Sequence, residues 1–298
     1  MIPGSSLTGL TWTTASDLLT LIKPRITALV VFTTAAGLWF APVRPSAPII
    51  FYSLLGTVIL VGAANALNMY LERHTDALMK RTQNRPLPAH RLKPRIALIL
   101  GILLMAVALP MLYLRVNPLT AALGFVAFVS YVLFYTPLKQ RSHVALLVGA
   151  VPGAMPPLMG WTAATDFIGM PGLVLFFILF LWQIPHFLAI ALWHQGEYEK
   201  AGIRILPLEK GERETKHWLI RYLAGLIAVS YYPVWLGLTG PSYFWVASFL
   251  GAVFFGLGLR GLKEKPSTPP SSPWAFQFFL MSILYLPLLL IALVASKK

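Results

Sequence analysis

Pro48-Ile-Ile-Phe-Tyr-Ser-Leu-Leu-Gly-Thr-Val-Ile-Leu-Val-Gly-Ala-Ala-Asn65-Ala-Leu-Asn68-Met-Tyr-Leu-Glu72-Arg-His-Thr-Asp76 decides the fold class. From Pro48 to Leu71 it carries no charge. As a helix rising ~1.5 Å per residue, that run crosses ~30 Å of hydrocarbon. Outward from it, comparable apolar runs lie near Leu18–Ala41, Ile96–Leu114, Pro118–Tyr135, Val144–Trp161, Pro171–Trp193, Trp218–Leu238, Tyr243–Leu259 and Trp274–Ala295. All are continuously apolar rather than alternating and about twice the length of a barrel strand, which argues against a β-barrel. The expected fold class is an all-α polytopic membrane protein with nine transmembrane helices, one membrane-embedded domain over residues 1–298.

The composition agrees. Of 298 residues 57% are hydrophobic and 11% charged, and the mean hydropathy is positive, which no water-soluble surface allows. The net charge of +14 sits in short islands between apolar runs, not on the solvated basic face that nucleic acid requires, so no nucleic-acid partner is expected. Zero cysteines exclude disulfides, thiolate metal sites and iron–sulfur ligation, leaving His, Asp, Glu and Asn as ligands of interest. The first 17 residues hold no Lys or Arg, so neither a secretory signal nor a transit peptide is expected and the N-terminus reads as mature.

Twenty of the 24 Lys and Arg fall in one set of alternate loops, and four (Arg44, Arg115, Lys297, Lys298) in the other. Positive loops stay cytoplasmic, which predicts a cytoplasmic N-terminus. The loops Glu72–Arg95 and Gln195–His217 then face the cytoplasm, and they hold seven of the ten acidic residues. Chemistry is expected there. The Pro/Ser loop Glu264–Pro273 shows none.

Asn68, Glu72 and Asp76 follow one another at four-residue steps, each turning only ~40° around a helix, so an amide and two carboxylates share one face. Stacked oxygen ligands of this kind suit Mg2+, which takes one or two carboxylates and shares its other positions with water and substrate phosphates. The run Lys80-Arg81-Thr82-Gln83-Asn84-Arg85-Pro86-Leu87-Pro88 adds cations that could hold the remaining oxygens of a magnesium diphosphate. The same residues also read as a helix end whose Glu72 and Asp76 reach the interface and pair with Arg73, Lys80 or Arg81.

A second polar stripe, Gln183, His186, Ile190, His194 and Glu197, descends the sixth expected span, with Pro185 freeing a carbonyl one turn earlier. An intramembrane His is a functional candidate or simply a hydrogen-bonded one. Spans two and six both deliver polar ends to the cytoplasmic side, which permits a shared cavity and hints at a four-span repeat. Tyr131-x-x-x-Tyr135-Thr-Pro-Leu-Lys139-Gln-Arg141 offers cations and aromatic faces, or an interfacial aromatic belt. Val151-Pro-Gly-Ala-Met-Pro-Pro-Leu-Met-Gly160 marks close helix packing. No nucleotide loop, Ser-His-Asp arrangement or zinc motif occurs.

Asn68-x-x-x-Glu72-x-x-x-Asp76-Ala-Leu-Met-Lys-Arg-Thr82 followed by Asn84-Arg-Pro-Leu87 resembles the first motif of the UbiA superfamily of intramembrane prenyltransferases, in the form of its haem-farnesylating branch. Leu181-Trp-Gln-Ile-Pro-His186-Phe-Leu-Ala189, Glu197-Tyr198-x-x-Ala-Gly202-Ile-x-x-Leu206-Pro207, Lys23-Pro-Arg25 and Tyr135-Thr-Pro-Leu-Lys139 resemble that branch too. Quinone and chlorophyll members generally carry an Asp-rich second motif; His186 and Glu197 stand in that region here, which favours haem.

The resemblance implies nine helices around a central cavity, a cytoplasm-facing diphosphate site in a prokaryotic cytoplasmic membrane, and a lipid-facing opening for an isoprenoid tail. It implies Mg2+, one ion or two, on Asn68, Glu72 and Asp76, with farnesyl diphosphate held by Lys80, Arg81, Arg85, Lys139 and Arg141. Tyr70, Tyr135 and Phe187 are then candidates to stabilise an allylic cation. Protohaem IX (haem b) is the implied acceptor, near His186, Glu197 and Tyr198, and haem O the product. His186 could orient the haem, coordinate its iron or handle the quenching water. Haem A synthase and oxidase assembly factors are the implied protein partners. Two other readings stand beside this one: a prenyltransferase acting on a quinone precursor, and a transporter or haem-handling subunit that forms no bond.

Overall fold

Prolines set the helix starts. Most helices carry Pro in their first turn, where its missing N–H is one that a helix start leaves unpaired anyway and its φ is already helical. The computed structural model describes residues 12–264 and 272–298; the sequence reading of residues before 12, and most of the Pro/Ser loop, lie outside them. The chain runs through α1 (Trp12–Leu21), α2 (Pro24–Phe40), α3 (Ala47–Asp76), α4 (Pro94–Arg115) and α5 (Pro118–Val129). A π-helical turn, Ser130–Tyr135, leads into the short α6 (Thr136–Leu138). Then come α7 (Ala145–Thr165), α8 (Met170–Trp193), the short α9 (Gln195–Lys200), α10 (Leu206–Ser230), the short α11 (Tyr232–Trp235), α12 (Pro241–Lys263) and α13 (Pro273–Ala295). The described residues contain no strand, only one isolated bridge between Thr239 and Lys297.

Among the described residues six helices are long and apolar enough to cross a membrane, α5 and α6 together forming one of them; the α1–α2 pair, bent by 47°, makes a seventh if taken as one span. The expected spans five and seven are also helices, α7 and α10, but do not belong to these six. α7 is interrupted by Pro152, Pro156 and Pro157, and from Pro152 to Ala163 every residue except Gly153 is buried. Its surroundings are other helices rather than lipid. α10 begins well before Trp218, bends at Gly211 (φ 83°) and ends at Ser230 rather than Leu238; its charged first turns lie ahead of the apolar run. The first expected span is two helices, because Lys23 takes a left-handed conformation (φ 49°) just before Pro24.

α7 packs on α2 and α8, α3 on α4, and α10 on α8. The α2–α7 contact rests on two glycines that let backbones touch. A Cβ at Gly37 would lie 2.0 Å from the Pro157 carbonyl oxygen, and one at Gly160 2.0 Å from that of Thr34. Small residues are the usual means of close approach in membranes, where apolar surface alone drives little helix association. Gly160→Ala is therefore expected to destabilise the bundle by more than the ~1–3 kcal/mol typical of overpacking, since backbone must move. A thermal melt in detergent tests this against Gly256→Ala, where a Cβ meets nothing within 4 Å; equal midpoints would refute the close contact.

Candidate active site

The last two turns of α3 are enclosed from three directions: by the break between α1 and α2, by α6, and by the loop after α3. Asn68, Glu72 and Asp76 are accordingly 2%, 6% and 1% exposed. The loop is tied down at both ends. Thr82 Oγ1 donates to the Asp76 carbonyl at 2.7 Å, and Arg91 grips both carboxylate oxygens of Asp17 on α1 at 3.0–3.1 Å. Leu87 and Leu92 pack with Leu21 and Met69 beneath it.

Buried charges require partners, and each rung of the ladder has one from a different segment. Lys23 Nζ donates to Asn68 Oδ1 at 2.9 Å, while Asn68 Nδ2 donates to Thr136 Oγ1 at 3.1 Å. Lys139 Nζ lies 3.2 Å from Glu72 Oε1, and Arg85 Nη1 2.6 Å from Asp76 Oδ2. Burial opposes the Lys139 ammonium, but Tyr135 and Glu72 hold its pKa above the ordinary lysine value. Lys139 thus stays charged. The carboxylates pair with Lys139 and Arg85, not with the Arg73, Lys80 or Arg81 of the interfacial alternative. Arg73 instead lies over the Tyr70 ring, 4.7 Å from its centre.

Beside Lys139 a cleft opens between α6 and α8–α9, lined by Tyr135, Phe187, Tyr198, Arg204 and His143 among others. The loop after α3 meets α9 and the loop after α9 above it, Met79 packing with Ala201 and Ile203 and Arg81 Nη2 reaching Tyr198 Oη at 3.5 Å. His194 and Glu197 sit at this end, 3.9 Å apart; burial, with Arg81, pushes the His194 pKa down against Glu197. Glu197 Oε2 is buried with no hydrogen-bond partner.

The structure therefore brings together Asn68, Glu72, Asp76, Arg85 and Lys139, with Tyr135, Phe187, Tyr198 and Arg81 around the adjoining cleft. It does not bring in four others. Tyr70 stands two residues from Asn68, ~200° around the helix, and packs with Leu21 and Met69 instead. Arg141 lines a separate outer groove with Leu133 and Phe134. His186 faces α13, its Nδ1 2.6 Å from Ser282 Oγ. Lys80 is exposed. Lys23 and Thr136 bind the ladder, and Arg204 and His143 line the cleft, positions that the sequence did not give them; for Lys23 the available signal was the Lys23-Pro-Arg25 pair of cations inside an apolar run.

The profile of the UbiA prenyltransferase family matches residues 30–283. This chain belongs to the UbiA prenyltransferase family. Its relatives include the Protoheme IX farnesyltransferase of Myxococcus xanthus, 49% identical over 285 residues that cover 96% of both chains. Among solved structures, a digeranylgeranylglyceryl phosphate synthase in membranes superposes with a TM-score of 0.80 at 16% identity, covering 95% of this chain and 98% of that one. A UbiA homologue from Archaeoglobus fulgidus bound to DMAPP and Mg2+ gives 0.65 at 17%, covering 94% and 99%. The matched UbiA segment contains the α3 ladder and the α8–α9 side of the cleft; Lys23 lies just ahead of it.

Proposed function

We propose that the chain transfers a farnesyl group from farnesyl diphosphate to a vinyl group of protohaem IX, with addition of water, giving haem O and diphosphate. The observation that carries this reading is the buried amide and carboxylate ladder met by three cations, in a chain similar over nearly its whole length to proteins named for that reaction.

The donor set fits Mg2+. Among the described residues no three His, Asp or Glu converge as a metal cage, but two carboxylates and an amide share one helix face, which leaves positions for water and phosphate oxygens. Asn68, Glu72 and Asp76 would hold the ion; Asn68 Oδ1 keeps a second lone pair beyond its bond to Lys23. When bound, Mg2+ supplies charge neutralisation and a fixed tether for the diphosphate.

Lys139 and Arg85, released from Glu72 and Asp76, take diphosphate oxygens and stabilise the charge that grows on the leaving group. Lys80 and Arg81 add positive potential at the mouth. The farnesyl C1–O bond breaks with its electron pair going to diphosphate. Tyr135 and Phe187 offer ring faces to the allylic cation. The vinyl carbon bonds to C1, and the cation left beside the pyrrole takes up water and loses a proton. Burial of the ladder keeps water from the first cation.

In the membrane, this reading implies nine crossings, the charged loops and diphosphate end on the cytoplasmic side of a prokaryotic cytoplasmic membrane, and haem A synthase or oxidase assembly factors as neighbours. Incubating the purified chain with reduced protohaem, farnesyl diphosphate and Mg2+ should yield a porphyrin heavier by one farnesyl group and one hydroxyl, and a chelator should abolish it. Mass spectrometry reads the product. Product from a quinone precursor alone would replace the acceptor, and no release of diphosphate with either would reject the transferase reading.

A further inference from the structure

His186 is held in a way that fixes which of its nitrogens is free. Ser282 Oγ lies 2.5 Å from the Phe279 carbonyl, to which it can give its one hydrogen, and 2.6 Å from His186 Nδ1, from which it then accepts. In that arrangement Nδ1 carries the hydrogen. In a neutral imidazole the lone pair is then on Nε2, which makes no hydrogen bond and is not sealed from its surroundings. The ring cannot turn easily. Trp182 stacks on it at 4.7 Å and 20°, and Trp182 Nε1 is itself bonded to the Ser282 carbonyl at 2.8 Å.

Around this imidazole the α8–α13 seam is a wall of aromatic rings. Phe279 lies 5.1 Å and Phe187 5.4 Å from His186; Trp193 lies 5.8 Å from Phe279 and 4.6 Å from Phe276. Such a wall matches a flat, apolar macrocycle, and a free imidazole nitrogen within it matches that macrocycle's iron. Phe187 belongs to both places. It touches His186 on one side and lines the Tyr135–Lys139 cleft on the other, so one side chain separates the aromatic seam from the diphosphate site.

We propose that the acceptor macrocycle lies along the α8–α13 aromatic seam with its iron on His186 Nε2, and that Ser282 is the positioning residue that presents that nitrogen. This rests on protohaem being the acceptor. Hydrogen-bonding a ligand's second nitrogen fixes its tautomer and orientation, and loss of such a partner typically costs ~10- to 100-fold in metal affinity.

The test uses the full-length chain in detergent, ferrous protohaem without prenyl donor, and resonance Raman spectroscopy beside a Soret titration. The parent chain should show an iron–histidine stretch. His186→Gly should lose it and regain an imidazole-ligated spectrum when free imidazole is added. Ser282→Ala should weaken haem binding ~10- to 100-fold and shift the stretch, and Ser282→Thr, which keeps the hydroxyl, should restore both. An unchanged spectrum in His186→Gly would overturn ligation, and an unchanged stretch and affinity in Ser282→Ala would overturn positioning. The two readings fail separately. A His186-dependent haem signature without farnesylated product would overturn the proposed function and leave ligation standing, whereas farnesylated product from haem whose spectrum ignores His186 would do the reverse.

Discussion

Asp76→Asn should lower diphosphate release by about a thousandfold, in the range seen when one preorganised electrostatic partner is removed from a water-excluded site. The substitution keeps the side chain's size, an oxygen able to accept from Arg85, and the Thr82 bond to the backbone carbonyl. What it removes is one of the two negative charges of the ladder, while Arg85, 2.6 Å away, keeps its own charge. The site becomes more positive. It should therefore still attract a diphosphate but no longer share a divalent cation with it. Mg2+ titration of pyrophosphate release, with a thermal melt alongside, separates these effects: the expected result is lost turnover, an unsaturable Mg2+ dependence and a near-parental midpoint. Parental turnover at ordinary Mg2+ would remove Asp76 from the metal site.

Lys23→Met should cost about 100- to 1,000-fold in kcat/KM for the prenyl diphosphate, again on the scale of one lost electrostatic partner. Lys23 is held in a left-handed backbone conformation, which costs a non-glycine residue roughly 1–2 kcal/mol, and that geometry delivers its ammonium to Asn68. Methionine keeps an unbranched stem and removes the ammonium. Asn68 then loses the donor on Oδ1 and keeps only Thr136 on its other side, so the amide is free to turn. Steady-state kinetics with varied diphosphate concentration reads the effect, and kinetics indistinguishable from those of the parent would mean that Lys23 only caps α2.

Both residues bear on how far the sequence could be read. Asp76 was legible because four-residue spacing on a helix is a local property: Asn68, Glu72 and Asp76 share a face whatever surrounds them. Tyr70 was misplaced by neglecting the same rule, since two residues put it on the far side. The partners of the ladder were another matter. Lys139 and Arg85 were candidates for the substrate, but their pairing with Glu72 and Asp76 depends on how α6 and the post-α3 loop fold against α3. Nearby Arg73, Lys80 and Arg81 were equally plausible on spacing alone. The apolar runs were readable as membrane spans where a helix is uniformly apolar, as in α4 and α13. They misled where apolar character and helix diverge: α10 is helical through charged turns, and the apolar stretch around Lys23 is not one helix.

The π-helical turn Ser130–Tyr135 carries a consequence of phase. The Thr136 amide and hydroxyl both fall to the Tyr131 carbonyl, the hydroxyl at 2.8 Å, so the coil holds one residue more than a regular α-turn would. Everything after it is rotated by ~100° relative to an uninterrupted helix. That offset sets the azimuth at which Thr136 meets Asn68 and Lys139 meets Glu72, while the helix before it keeps its own seam against α7. Two helical faces that no single regular helix would present are thus aligned on two different neighbours, and the diphosphate-side chemistry of α6 depends on residue count as much as on residue identity.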